Sequence, residues 1–352
     1  MLCIFSVIKP YPLHINSIER LYKYIVGGGK RMPVELVKTP LKVCRIMGEE
    51  ISSTVVEEDI NVPDVSPDVY KILYPSARVF IKNSEITTDK IVIDGQVLMD
   101  VLYAADAEGR PLSSLNISAD FTHTIEMAGV KPRMKEWIDV VIQHVDCHII
   151  NSRKISIKVI MDIVCMVEDI YDMEIPLDVR GSDYIQVLRE PLGIKEITGM
   201  NKDKHNIKEE IQLEADRLPI KEILKTDFWT YIKDSQSMEG KMQVYGTLAY
   251  NILYKSEEAE IENLRGEIPF SQFIEIPEAD TDMESVAYAK VRESYIEISE
   301  NTEGEKRDIT INAFLDIGGR TFKDIRSEVL TDMYSPKWEM SIDRKGYDID
   351  EY

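Results

Sequence analysis

The stretch "IVIDGQVLMDVLY", residues 91–103, decides how the chain is read. Ile91, Ile93, Val97, Met99, Val101 and Tyr103 alternate with Asp94, Gln96 and Asp100. A period of two puts the apolar set on one face of a strand and the polar set on the other. The phrase returns as "MQVYGTLAYNILY", residues 242–254, with Met242, Val244, Leu248, Tyr250, Ile252 and Tyr254 in the matching places. Gly95 and Gly246 sit in the middle of the two runs, where glycine weakens pairing unless a bulge or a close contact needs it. A bulge that bends a long strand is the expectation at both.

The echo extends well beyond the phrase. A shift of 151 residues aligns 34–103 with 185–254 without a gap. Pro40-Leu41 falls on Pro191-Leu192, Ile72-Leu73 on Ile223-Leu224, Gly95 on Gly246 and Tyr103 on Tyr254. Beyond a divergent loop, "FTHTIEM" (121–127) answers "FSQFIEI" (270–276), and "ISIKVIMDI" (155–163) answers "ITINAFLDI" (309–317). An ordered series at one spacing marks two tandem domains of one fold. The period is far above that of a solenoid repeat, so each copy buries its own core.

Alternating runs rich in β-branched residues, such as "KISIKVIMDIVCMV" (154–167), make the chain mainly all-β. One short helix per copy is also expected. In "VSPDVYKIL" Ser66 can cap a first turn, Pro67 suits its first position, and Val69, Ile72 and Leu73 have helical spacing. The second copy keeps Ile220, Ile223 and Leu224. The predicted architecture is two tandem β-sandwich-like domains, residues 32–183 and 184–335, each with a small helix. Residues Ile72, Leu73, Gly95 and Tyr103, with Ile223, Leu224, Gly246 and Tyr254, are shared by the copies and read as scaffold.

Residues 1–31 lie outside the repeat and end in "GGGKR" before Met32. Gly-Gly-Gly-Lys is encoded by a purine-rich stretch like a bacterial ribosome-binding site. Residues 1–31 are therefore read as an untranslated leader, or else a flexible tail. Residues 336–352 read as an acidic C-terminal tail, at the place where the spacing would start a third copy.

Composition narrows the function. The chain has 352 residues, 44% of them apolar, enough for two cores. It carries 42 basic and 63 acidic residues, a net charge of −21, which repels phosphate backbones and anionic lipid. No nucleic-acid partner is expected. No apolar run reaches the ~20 residues of a membrane span. The four cysteines have no paired spacing, which fits a reducing cytosol.

Chemical motifs are sparse. In "HVDCH", His144 and His148 share a strand face with Asp146, while Cys147 points away. That supplies two imidazoles and a carboxylate but no fourth ligand, so no metal and no cofactor are expected. The acidic run 57–68 lacks the glycine and terminal glutamate of a calcium loop. "GGGK" lacks the rest of a phosphate loop. Trp137, Trp229 and Trp338 are read as core, with sugar stacking as the alternative. No group of residues points to catalysis.

The pairs "INVPDVSPDVYKIL" with "KIVIDGQVLMDVLY", and "IQLEADRLPIKEIL" with "KMQVYGTLAYNILY", resemble the SPOCS domain of spore-coat-associated proteins from clostridia-type endospore formers. The second copy departs from the pattern at Glu214, which stands in the place of Pro63. The resemblance covers about residues 34–335. It implies a non-enzymatic scaffold or adaptor in coat assembly, in the mother-cell cytoplasm at the forespore surface. The implied partners are spore coat proteins, including the coat-anchoring ATPase. Relatives often carry a further SPOCS module and a LysM domain. Neither is seen in this sequence, so roles carried by those parts are not expected to transfer. Self-association through sheet edges is a further expectation. The alternatives are a carbohydrate- or envelope-binding sandwich and a metal-dependent enzyme using His144 and His148. Native N-terminal peptides are expected to begin at Met32, and mass spectrometry that finds a peptide from residues 1–29 would overturn the leader reading.

Overall fold

A computed structural model describes residues 15–23, 35–181, 184–337 and 340–347. Every regular element among them is a strand. After β1 (Ile15–Lys23), the first domain comprises β2 (Glu35–Asn61), β3 (Val69–Thr87), β4 (Lys90–Ala105), β5 (Leu112–Glu126), β6 (Lys135–Asn151) and β7 (Lys154–Arg180). The second repeats it as β8 (Gln186–Gln212), β9 (Ile220–Met238), β10 (Lys241–Ser256), β11 (Ile261–Glu275), β12 (Glu284–Glu300) and β13 (Lys306–Tyr334), followed by β14 (Met340–Tyr347).

Each domain is a sandwich of two three-stranded antiparallel sheets. The first has orders β2-β7-β6 and β3-β4-β5, and the second has β8-β13-β12 and β9-β10-β11. The expected all-β tandem sandwich is therefore what the chain forms. The opening phrase is the central strand β4. Its residues Ile91, Ile93, Val97, Met99, Val101 and Tyr103 are wholly buried. The inner face of β7, from Ile155 to Val167 at every second residue, is wholly buried as well. Both strands contribute to the same apolar clusters, and β10 and β13 do the same in the second domain. Each fully buried Val, Ile, Leu or Met contributes about 1.5–3 kcal/mol before entropy is set against it.

The expected short helices are absent, and a strand takes their place in each copy. The reason is a pair of bulges. Val69 lies opposite Ala105 and Lys71 opposite Ala104, so Tyr70 is extra; Ile72 lies opposite Tyr103 and Tyr74 opposite Leu102, so Leu73 is extra. An inserted residue changes the two-residue period to three, which imitates a helical stripe. The second copy carries the same two bulges at Lys221 and Leu224. Ser66 closes a turn instead of a helix, its amide donating to the Pro63 carbonyl at 2.9 Å. Of the doubled pair, Leu224 is 2% exposed but Leu73 is 44% exposed.

The central glycines have a more specific reason than strand bending. The nearby bulge lies in the neighbouring strand, at Lys82 beside Gly95 and at Lys233 beside Gly246. The glycines themselves seat an aromatic ring from the other neighbour. A Cβ on Gly95 would lie 2.5 Å from Phe121 Cε1, and one on Gly246 would lie 2.3 Å from Phe270 Cζ. Each ring covers the backbone of the glycine directly across from it.

Residues 15–23, in the segment read as leader or tail, form β1, which pairs antiparallel with β14 from the C-terminal segment. The outer halves of β2 and β7 also run past the first sandwich. There Leu41, Met173 and Ile175 pack against Leu192, Ile325 and Val329 of the second domain. A second small cluster joins Leu36 and Val179 to Leu330 and Met333.

Gly95→Ala is expected to cost about 1–3 kcal/mol, because the new methyl displaces the Phe121 ring. Thermal unfolding would measure this, and pairing the change with Phe121→Leu should recover part of the loss.

Candidate interaction surface

The tyrosines that end the two repeated phrases hold a loop in place. The Tyr103 hydroxyl donates to the Pro67 carbonyl at 3.0 Å, and Tyr254 donates to the Leu218 carbonyl at 3.4 Å. Both side chains are fully buried, and burial raises their hydroxyl pKa values. An arginine grips the same loop from outside. Arg153 donates to the carbonyls of Val62, Pro63 and Ser66 and to the Asp68 carboxylate at 2.7–3.0 Å. Arg307 repeats part of the clamp on the carbonyls of Glu214 and Arg217. Part of the acidic stretch 57–68 is thus an arginine-held turn. The four shared positions in each copy are a paired strand residue beside a bulge, the bulge residue itself, a ring seat and a loop anchor.

His144, Asp146 and His148 lie exposed on β6. Among the described residues no three His, Cys, Asp or Glu side chains gather to hold a metal. The three described cysteines are free thiols. Burial, reinforced by the Glu168 carboxylate, pushes the Cys44 thiol up to about 12; Cys147 and Cys165 rise to about 11, again through burial first. Thiols held in that range are poor nucleophiles at neutral pH. "GGGK", Cys3 and Trp338 lie outside the described residues.

The most developed side-chain constellation joins the two domains. Arg320 of β13 meets Glu168 of β7 through two bonds, at 3.2 and 3.1 Å. The side chains are 17% and 6% exposed. Trp137 donates its indole N–H to the same carboxylate at 2.9 Å. The Arg320 guanidinium stacks over the Trp137 ring at 4.6 Å, and Tyr288 meets that ring edge-on at 5.0 Å. A buried carboxylate with three donors and a stacked arginine is fully satisfied, so the junction holds one geometry. Lys290 adds bonds to the Ile138 carbonyl and the Asp139 carboxylate. Copy comparison alone could have flagged the spot. Gly318-Gly319-Arg320 stands where the first copy has Val164-Cys165-Met166, and a Cβ on Gly318 would lie 2.4 Å from the Tyr288 ring.

A cleft of about 650 Å³ opens between the domains beside this junction. Three of its cations face carboxylates: Lys82 to Asp120, Lys290 to Asp139 and Arg292 to Asp316. These pairs offset the positive charge of the cleft. A different surface lies open on the second domain. Trp229 is 48% exposed and Tyr231 37%, and they project from the outer face of sheet β9-β10-β11 over Ala249 and Thr247, which lie opposite them in the register. Trp229 is therefore a surface residue, contrary to the expectation that it is core. Trp137 is half-buried at the junction.

A family model described as SipL, SPOCS domain matches residues 68–150 and again residues 219–299. The two matches lie in tandem, one in each domain, and the SPOCS family implies a sporulation-related role. The matched segments span β3 to β6 and β9 to β12, while the outer pairs β2–β7 and β8–β13 complete each sandwich. Comparison with curated proteins and with solved structures gives no match.

Removing Arg320 strands the Glu168 charge. Arg320→Ala is expected to cost about 3–5 kcal/mol, read by denaturant unfolding. Cys44 should react with iodoacetamide at pH 8 about a thousandfold more slowly in the folded protein than in the unfolded chain, because its raised pKa leaves so little thiolate. Equal rates would contradict the buried setting of Cys44.

Proposed function

We propose that this chain is a non-enzymatic scaffold or adaptor in spore coat assembly, acting in the mother cell at the forespore surface. The observation that supports the reading is the junction at Glu168 and Arg320, which joins the two domains while the outer sheet face of the second stays open. Two linked modules raise avidity when both sites are reachable together. The motifs weighed for chemistry are explained by architecture: the tyrosines anchor loops, part of the acidic stretch is an arginine-held turn, and the thiols are suppressed by burial. The net charge of −21 favours a basic protein surface over nucleic acid or anionic lipid. Among the described residues no helix is long and apolar enough to cross a membrane. The proposed partners are spore coat proteins, including the coat-anchoring ATPase.

A second reading, an envelope- or carbohydrate-binding sandwich, draws on exposed Trp229 and Tyr231, since open aromatic rings can stack on sugars. The test is an affinity capture from sporulating cells with the chain as bait, run beside pelleting with purified cell-wall glycan. Enrichment of coat proteins, with a fluorescent fusion gathered around the forespore, is the expected result. A diffuse fusion together with glycan pelleting would replace the scaffold reading with the second one.

A further inference from the structure

The contact between the two domains can be applied a second time. Within the chain, the start of β9 and the end of β10 lie over the outer face of sheet β3-β4-β5. Ser113 donates to Glu222 and Ser114 to the Ile223 carbonyl, each at 3.4 Å, and Lys255 donates to the Leu112 carbonyl at 3.3 Å. Lys225 approaches the Tyr74 ring at 5.5 Å.

The repeat places both halves of this contact elsewhere on the molecule. The receiving face recurs on the second domain, where Ile261, Glu262 and Asn263 replace Leu112, Ser113 and Ser114, and Trp229 replaces Arg78. There it is open: Trp229 is 48% exposed and Ile261 43%. The inserting edge recurs on the first domain, where Lys71, Ile72 and Tyr74 replace Glu222, Ile223 and Lys225. That edge is open too, with Tyr70 and Leu73 each 44% exposed and Tyr74 53%.

The replacements are complementary. Where Ser113 meets Glu222 inside the chain, the recurring contact sets Glu262, which also lies 3.6 Å from Arg217, against Lys71, two opposite charges. Tyr74, in place of Lys225, meets Lys225 of the face, which stands where Tyr74 stood, so the cation–aromatic contact is kept with its roles exchanged; Trp229, in the place of Arg78, stands beside it against the incoming edge. We propose that a second copy of this chain docks its Tyr70–Tyr74 edge on the Trp229 face, repeating between molecules the contact made between domains. The face and the edge are different surfaces, so the association is head-to-tail and does not close on itself by necessity; each added copy presents a fresh face. This goes beyond the scaffold reading and rests on the fold alone.

The test is sedimentation velocity of the full chain over a wide concentration range. The average mass is expected to rise continuously. Trp229→Glu should weaken association about tenfold or more, as loss of a central aromatic anchor does. Lys71→Glu and Glu262→Lys should each weaken it through like charges. Mixing those two variants should restore growth in strict alternation, because each variant then meets an edge and a face of opposite charge only on the other. Melting temperatures close to wild type would show that the variants fold. A monomer at every concentration, a fixed dimer that does not grow, or association insensitive to all three changes would overturn the proposal. None of these outcomes depends on whether coat proteins are captured in the scaffold test.

Discussion

The inner face of β4 lies against the inner face of β7, and everything else in the first domain is arranged around that contact. The second domain repeats it with β10 and β13. Both are middle strands, hydrogen-bonded on two sides, so their backbones are satisfied and their inward side chains are free of water. The six inward side chains of β4 from Ile91 to Tyr103, interrupted only by Gly95, and seven consecutive ones of β7 are fully buried. Sliding either strand by one residue would turn the apolar set outward, which fixes the register. With that register set, Gly95 falls between Ile81 and Phe121, and Tyr103 reaches the loop before β3.

The outer halves of the long strands have a different task. In β2 and β7, and in β8 and β13, the same strands that close a sandwich continue beyond it and meet the opposite domain through small apolar clusters. The buried pair of Glu168 and Arg320 lies at the junction of the two domains. A satisfied buried pair adds less stability than an apolar replacement often would, but it tolerates only one arrangement of its donors. That suits two domains whose relative placement matters more than their adhesion. The net charge of −21 disfavours contact with phosphate backbones and anionic lipid.

A repeated domain carries its contacts in duplicate. Where two copies share a residue, the shared residue serves the fold, as Tyr103 and Tyr254 do. Where they differ at matching places, the difference marks what each copy touches. Arg320 for Met166 belongs to the junction, and Trp229 for Arg78 to an open face.

The sequence by itself determined the all-β class, the tandem repeat and the inward face of β4 and β10. Alternation at period two is a local property, and a repeat offset needs no coordinates. Three further features were decided only in the tertiary structure. The apparent helix at 66–73 became a doubly bulged strand, because spacing alone cannot tell an inserted residue from a helical turn. The glycines proved to be seats for Phe121 and Phe270, which lie 26 and 24 residues further along the chain and come opposite them only through strand pairing. The domain junction unites Glu168 with Arg320, 152 residues apart. No local pattern announces such a pair, because its energy arises from burial and from donors that only the folded chain brings together.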